Sequence, residues 1–209
     1  LLGYQAGLAI TTGDGNVAVG YTALTEHTTG GNNVAIGFGA MYRTGGATAS
    51  TSIDNIAIGT YALGGDWSDS ASSYNIAIGS SAMLGTLNAS LYNVAVGYQS
   101  LFTQTIGDGN IGIGYKTGYY NVTGDANTWV GHESGLGATG DSNSNNTGLG
   151  YRTLKAITTG GSNVAIGSNA GLAITTGHNN VIIGRSAGTA TTDVGYAVII
   201  GNNAGIDSL

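Results

Sequence analysis

The five residues Asn16-Val17-Ala18-Val19-Gly20 decide the fold, because close copies of them recur almost from one end of the chain to the other. The next copy, Asn33-Val34-Ala35-Ile36-Gly37, begins 17 residues later, and 17 residues is the commonest step. A fixed period of this size is the sequence signature of a solenoid, in which each repeat supplies one coil. The closing glycines lie at positions 3, 20, 37, 59, 79, 97, 114, 131, 150, 167, 184 and 201.

The composition favours a rigid, weakly charged fold. The 209 residues include 39 Gly and no Pro or Cys, and only 8% are charged, against about 25% in a typical domain. The net charge of −6 with five basic residues argues against a nucleic-acid partner. Without Cys there is neither a disulfide framework nor a thiolate metal site. No apolar run is long enough to cross a bilayer, so we expect no membrane insertion in this segment.

Within each repeat the apolar residues alternate, which is the spacing of a β-strand. Gly-rich turn signals such as residues 11–15 and 158–161 separate the strands. We therefore predict an all-β protein, a parallel β-solenoid of about 12 coils forming one domain over residues 1–209. Each coil should also hold a second short strand near residues 21–24. Because the repeat is already under way at Leu1, we expect the chain to be a fragment of a longer fibre protein.

The alternation also predicts which residues face the interior. We expect Val17 and Val19 to fill the coil and the small residues between the aliphatics to press against a neighbouring chain. Trp129 interrupts that small column between Gly112 and Gly148, which would make room for its indole. The residues predicted for packing or the trimer interface are Ala18, Ala35 and Trp129. The residues predicted to be structural, as stacked amides and corner glycines, are Asn16, Gly20, Asn33, Gly37, Asn163 and Gly167.

Aromatic residues often follow the closing glycine and invite two interpretations. They cover the exposed glycine backbone, or they form a ladder of rings that stacks on sugars. Irregular loops are the other place for recognition, since binding residues concentrate on loops of rigid scaffolds; Asp66 and Asp69 belong to one such loop. The candidate receptor-binding residues are Trp67, Tyr119, Tyr120, Tyr98, Tyr115 and Tyr151.

Several catalytic and metal-binding patterns occur within the repeat, and the repeat explains them. Residues 184–188 fit G-x-S-x-G, but other coils place Thr, Gln, Lys or Asn at the Ser186 position. Residues 107–112 fit G-x-G-x-x-G, but no strand–helix pattern surrounds them. Asp14 and Asp108 lie in Gly-Asp-Gly-Asn turns, yet the acid does not recur coil after coil as a calcium ladder requires. We predict no catalytic residue, no metal site and no cofactor.

The repeats resemble two families of fibrous proteins. Asn33–Gly37 and Asn163–Gly167 resemble the head repeats of trimeric autotransporter adhesins, the YadA-like heads. Gly20-Tyr21-Thr22-Ala23-Leu24 and Gly97-Tyr98-Gln99-Ser100-Leu101 are similar to repeats of long phage tail fibres. The resemblance implies a left-handed parallel β-roll assembled as a parallel homotrimer. YadA-like coils are shorter than 17 residues, which favours the tail-fibre branch.

These observations together predict a non-enzymatic extracellular fibre segment for host or surface attachment, on a virion tail fibre or a bacterial cell surface. Its partners would be two further copies of itself and an envelope receptor, with a cell-surface glycan expected from the Tyr residues and polar loops. The alternatives are a bacterial adhesin head and a purely structural shaft with recognition elsewhere. Ice binding by paired Thr residues is a third class, but the pairs are missing from the middle coils.

Overall fold

The chain forms an all-β parallel solenoid in which three-residue strands stack in the order of the sequence. The computed structural model describes residues 1–45, 49–67, 70–190 and 192–205. Each strand pairs in register with the next, Val17 opposite Val34 and Ala18 opposite Ala35, so one sequence repeat makes one turn. The strands are β1 Val17–Val19, β2 Val34–Ile36, β3 Ile56–Ile58, β4 Ile76–Ile78, β5 Val94–Val96, β6 Ile111–Ile113, β7 Thr128–Val130, β8 Thr147–Leu149, β9 Val164–Ile166, β10 Val181–Ile183 and β11 Val198–Ile200.

The eleven described strands enclose about ten turns, against the 12 coils predicted from the glycine count. An isolated parallel bridge between Leu2 and Val19 precedes β1. One 3₁₀ turn, Ala49–Thr51, lies in the longer connection between β2 and β3. The single parallel sheet is therefore as long as the solenoid and only three residues wide.

The second short strand predicted near residues 21–24 is wrong. After the strand glycine the backbone turns, and Thr22 and Leu24 adopt left-handed φ values of 51° and 54°. A strand needs consecutive residues in the β region, so left-handed residues at alternate positions bend the chain instead. The same alternation recurs in the next coils, for example at Tyr61 (φ 53°) and Leu63 (φ 49°).

The predicted orientation of the strands is also wrong: the small middle residue faces inward and the flanking aliphatics face outward. Ala18 is fully buried, whereas Val17 and Val19 are partly or largely exposed, and the buried middle position holds in every strand. The reason is that in six coils the chain already supplies a large interior residue four positions after the strand glycine, such as Leu24 or Met41. A narrow coil then has room only for Ala or Gly at the strand centre.

The strand alternation places the repeat Asn on the same inward side as that Ala, and the Asn residues form a buried ladder. Asn55 donates from both its main-chain N and its Nδ2 to Asn33 Oδ1, each at 3.0 Å. Its Nδ2 also donates to the Ser72 carbonyl at 3.0 Å. A main-chain N–H donates to the preceding Asn Oδ1 in each coil from Asn33 onward. The ladder ends where Ala197 N donates to Asn180 Oδ1 at 2.9 Å.

Trp129 is the largest buried side chain, and neighbouring glycines make space for it. A Cβ at Gly135 would lie 2.3 Å from Trp129 Cδ2, and a Cβ at Gly148 would lie 2.7 Å from Trp129 Cε3. The predicted role of Gly148 is therefore seen. A Cβ at Gly112 would first meet Ser100 Oγ, at 2.4 Å. On the side of Gly112 the space for the indole comes from Gly118, so the glycines that adjoin Trp129 are Gly118, Gly135 and Gly148. Gly118 and Gly135 occupy the position that holds Leu or Met in other coils.

Candidate functional surfaces

The outward residues of the strands form a continuous aliphatic surface, which we call the aliphatic face. It consists of the first and third residue of β1 to β11, all of them Val, Ile or Leu except for Thr128 and Thr147. None of these side chains is charged; Ile113 is 41% exposed and Leu149 48%, and exposure rises to 70% at Val198 in the last strand. Contiguous exposed apolar surface of this kind is typical of an interaction site.

Because the small residues of the strands point into the coil, the residues predicted for packing or a trimer interface pack inside their own chain and cannot touch another one. Ala18, Ala35 and Trp129 are all fully buried inside their own coil. Their burial follows from the reversed strand orientation. Neighbouring residues of a strand point to opposite faces of the sheet, so the outward columns are those of Val17 and Val19. These two columns become the candidate interface.

The aromatic column beside the aliphatic face is stacked on itself. Tyr98 and Tyr115 have ring centroids 5.6 Å apart, Tyr115 and His132 4.7 Å, and His132 and Tyr151 5.3 Å. The first two pairs are stacked and the third is tilted by 31°. Tyr115 therefore has a ring against each of its faces, which leaves its edge and hydroxyl for a ligand. The Arg152 guanidinium carbon lies 4.8 Å from the centroid of the Tyr151 ring.

The loop candidates are placed differently by the structure. Trp67, predicted as a receptor contact, is not a surface residue: its side chain is 4% exposed and belongs to the hydrophobic core. Its neighbour Asp66 is exposed and accepts hydrogen bonds from Arg43 Nη1 at 2.9 Å to both carboxylate oxygens. Asp66 lines a groove of about 420 Å³ with Tyr42 and Tyr61. Asp69 lies outside the described residues.

Tyr119 and Tyr120 lie at a second aromatic cluster on the turn side of the coils. Tyr119 stacks on Phe102 with 4.8 Å between centroids and meets Tyr120 edge-on at 4.5 Å. Lys116 Nζ lies 5.2 Å from the Tyr119 centroid and 5.4 Å from the Tyr115 centroid. Burial raises the pKa of the Tyr119 hydroxyl, which therefore stays protonated and can donate a hydrogen bond at neutral pH.

One groove on the turn side, where residues of three successive coils meet, was not predicted from the sequence. It has a volume of about 660 Å³ and is walled mainly by Leu and Ala side chains. Arg152 and Lys155 lie on it, and both donate to Glu133 Oε2 at 2.8 Å. The bond from Lys155, together with that from Arg152, lowers the pKa of Glu133. The signal in the sequence was the placement of two of the five basic residues three positions apart.

The catalytic patterns lie in ordinary repeat positions. Ser186 has a left-handed φ of 56° and its N–H donates to the Ser168 carbonyl of the previous coil. Residues 107–112 span a turn and the start of β6 rather than a strand followed by a helix. Across the described part of the chain, no group of three His, Cys, Asp or Glu residues is placed to hold a metal ion. In the same residues no helix is long and apolar enough to cross a membrane.

Comparison with known proteins found no matching family model, no matching curated protein and no matching solved structure.

Proposed function

We propose that this chain is a non-enzymatic segment of an extracellular fibre, assembled as a parallel homotrimer and used for attachment to a host or surface. The aliphatic face is the observation that carries the proposal. It runs along every described turn, carries no charge and is not covered by any helix or second sheet of the described residues. Three identical chains that bury this face against one another would form a continuous apolar core along the fibre axis.

The shape of the face supports association along its whole length rather than at one end. Each strand contributes the same two outward residues in register with its neighbours, so equal heights on two chains present the same side chains. Apolar sheet faces pack about 10 Å apart when they stack. The left-handed trimeric β-roll implied by the resemblance to tail-fibre and YadA-like repeats would satisfy this requirement.

For the attachment role, the groove at Tyr42, Arg43, Tyr61 and Asp66 is the best receptor candidate among the surfaces that the sequence pointed to. It combines two Tyr rings with an exposed Arg–Asp pair, the mixture of flat apolar and hydrogen-bonding groups that suits a glycan. Such sites would occur three times per fibre, so weak binding to a cell-surface glycan would gain from avidity. The fibre would belong to a phage or phage-like tail, or to a bacterial surface adhesin.

A second candidate function, a structural shaft with recognition elsewhere, is favoured by two specific observations. Trp67 is buried, and the rings of Tyr98, Tyr115, His132 and Tyr151 cover much of one another's faces by stacking. Binding of the isolated segment to target cells would separate the two roles. Attachment predicts binding that is lost in a Tyr42→Ala and Asp66→Ala double variant, whereas a shaft predicts no binding by the wild type.

The molar mass in solution tests the assembly. Light scattering behind a sizing column should give about three times the 20.7 kDa of one chain. A monomer at micromolar concentration would contradict the trimeric fibre, because the aliphatic face would then remain exposed to water.

A further inference from the structure

We propose that the groove on the turn side of the coils starting at Gly131, Gly150 and Gly167 binds a single-chain anionic amphiphile, such as a fatty-acid carboxylate. The acyl chain would lie along Leu136, Ala156 and Leu172, and the head group would meet Lys155 and Arg152. We call this surface the Leu136–Leu172 groove. It lies outside the strands, so the proposal does not depend on the fibre assembly.

The walls of the groove are apolar and accessible. Leu136, Ala156, Leu172 and Ala173 are half-buried, and Ala138 is exposed, so their outer surfaces remain open to a ligand. The volume of about 660 Å³ falls within the range of small-molecule sites, which are mostly apolar with a few placed polar groups. A flexible hydrocarbon chain suits three coils whose Leu and Ala side chains repeat along the fibre axis.

The charge beside these walls is positive, and this is unusual for the molecule. Arg152 and Lys155 share one carboxylate, that of Glu133, so these three side chains together carry one positive charge beside the groove. The Asp141 carboxylate lies behind the wall, where it is 6% exposed and its Oδ2 accepts from Ala138 N. The whole chain has a net charge of −6 and five basic residues. The cation excess next to an apolar groove therefore selects for a ligand that is apolar along its length and negative at one end.

The hydrogen-bonding capacity agrees with this charge count. An ammonium group has three N–H donors and a guanidinium has five, and Glu133 accepts only one from Lys155 and one from Arg152. Both cationic side chains are about a third exposed. They can donate to an incoming carboxylate while keeping Glu133 as a fixed partner, which makes a charge-assisted pair without moving the backbone.

The test is a calorimetric titration of the wild-type chain with dodecanoate below its micelle concentration. We expect saturable binding at one site per chain, with little binding of acetate, which lacks the chain, or dodecyl maltoside, which lacks the charge. Lys155→Gln should weaken dodecanoate at least about tenfold, the effect of losing one charge-assisted hydrogen bond. Ala173→Trp, which fills the groove, should abolish binding.

Arg185→Gln is the matched control, because Arg185 is an exposed cation that does not line this groove, and it should bind like the wild type. Circular dichroism melts of each variant show that the fold is intact. The proposal is overturned if dodecanoate shows no saturable binding at millimolar concentration. It is equally overturned if folded Lys155→Gln and Ala173→Trp bind like the wild type, or if dodecyl maltoside binds as tightly as dodecanoate.

Discussion

The strand glycines lie in close contact with the backbone of the next coil. Gly131 has a φ of 131°, and a Cβ placed there would lie 2.2 Å from the carbonyl oxygen of Gly150 in the next coil. This φ range belongs almost solely to glycine. The contact is with backbone, so a side chain at Gly131 must push two coils apart rather than shift one rotamer.

Gly131→Ala should lower the free energy of unfolding by about 3 kcal/mol, from backbone strain together with overpacking. Gly109→Ala is the matched control, because Gly109 is left-handed (φ 64°) but a Cβ there meets nothing within 4 Å. The control should cost only about 1 kcal/mol. Denaturant unfolding measures both, and equal losses would show that the inter-coil contact is unimportant.

The Asn ladder makes a similar prediction for a polar side chain. Asn127 Nδ2 donates to Asn110 Oδ1 at 3.0 Å and to the Asn143 carbonyl at 2.7 Å, and Asn127 Oδ1 accepts from Asn146 N. Asn127→Ala leaves these buried partners without their hydrogen bonds, so we expect a loss of about 3 kcal/mol. Asn202→Ala, at an exposed position, should change the denaturation midpoint little. A midpoint for Asn127→Ala equal to that control would contradict the ladder.

His27 makes the stability depend on pH. It is fully buried, with Nδ1 3.2 Å from Thr44 Oγ1 and Nε2 3.0 Å from the Ser52 carbonyl. Burial lowers its pKa below the usual 6.5, so below pH 6.5 the unfolded chain takes up a proton that the folded chain resists. Stability from this group is complete above pH 6.5 and is lost as the pH falls through the folded-state pKa.

Melting temperatures between pH 7.5 and 5 should therefore fall more for the wild type than for His27→Leu, a substitution that copies Leu87 at the equivalent core position. Because Asp141 and the other acids are common to both chains, the difference between the two pH profiles reports His27 alone. Parallel profiles for the two proteins would contradict this assignment.

At the scale of the element, the coils conserve interior volume in two ways. Five coils place Ala at the strand centre and Leu or Met six positions later, as in Ala57 with Leu63. Others reverse the sizes, as in Trp129 with Gly135 or Ile182 with Gly188. In both arrangements one large side chain fills the section, because a packed interior tolerates neither a gap nor a second large group. The coils of Gly112 with Gly118 and of Ala165 with Gly171 have no large side chain at these two positions, and Trp129 and Ile182 of the next coil reach Gly118 and Gly171.

Trp129→Ala should cost about 3 to 5 kcal/mol through the cavity that it leaves. Adding Gly135→Leu to that variant should recover a large part of the loss, since Leu63 occupies the same position at a similar left-handed φ of 49°. Gly135→Leu alone should destabilise strongly, because a Cβ there already clashes with Trp129. Additive effects in this double-mutant cycle would contradict the compensation.

The sequence predicted the elements better than their orientation. The period, the parallel stacking and the structural Asn and Gly columns could be predicted from the motif, because every coil places the same residue types at the same positions. Orientation could not follow from alternation alone, since a period of two fits either face. The deciding information lay in residues such as Leu24 and Met41, whose inward direction depends on the left-handed turn. Trp67 was misplaced for the same reason: a loop position in sequence can be a core position in the coil.

For the molecule as a whole, the aliphatic face is the apolar surface that a single chain leaves exposed to water. Ile113 lies at its middle and is 41% exposed. Ile113→Lys would place a charge in the proposed interface core, where it finds no partner among the aliphatic columns. We expect this variant to elute with the molar mass of one chain. Thr86→Lys, at an exposed turn position, should keep the wild-type mass, and a trimeric Ile113→Lys would contradict the proposed interface.

The most direct measurement is cross-linking through single cysteines, since the chain has none of its own. Ile78→Cys places a thiol on the aliphatic face, Ala77→Cys places one inside the coil, and Thr86→Cys places one on the turn side. With a short bismaleimide, we expect covalent dimers on a denaturing gel for Ile78→Cys only. Covalent dimers from Thr86→Cys with none from Ile78→Cys, or no dimers from any variant, would contradict the claim that the aliphatic face joins copies of this chain.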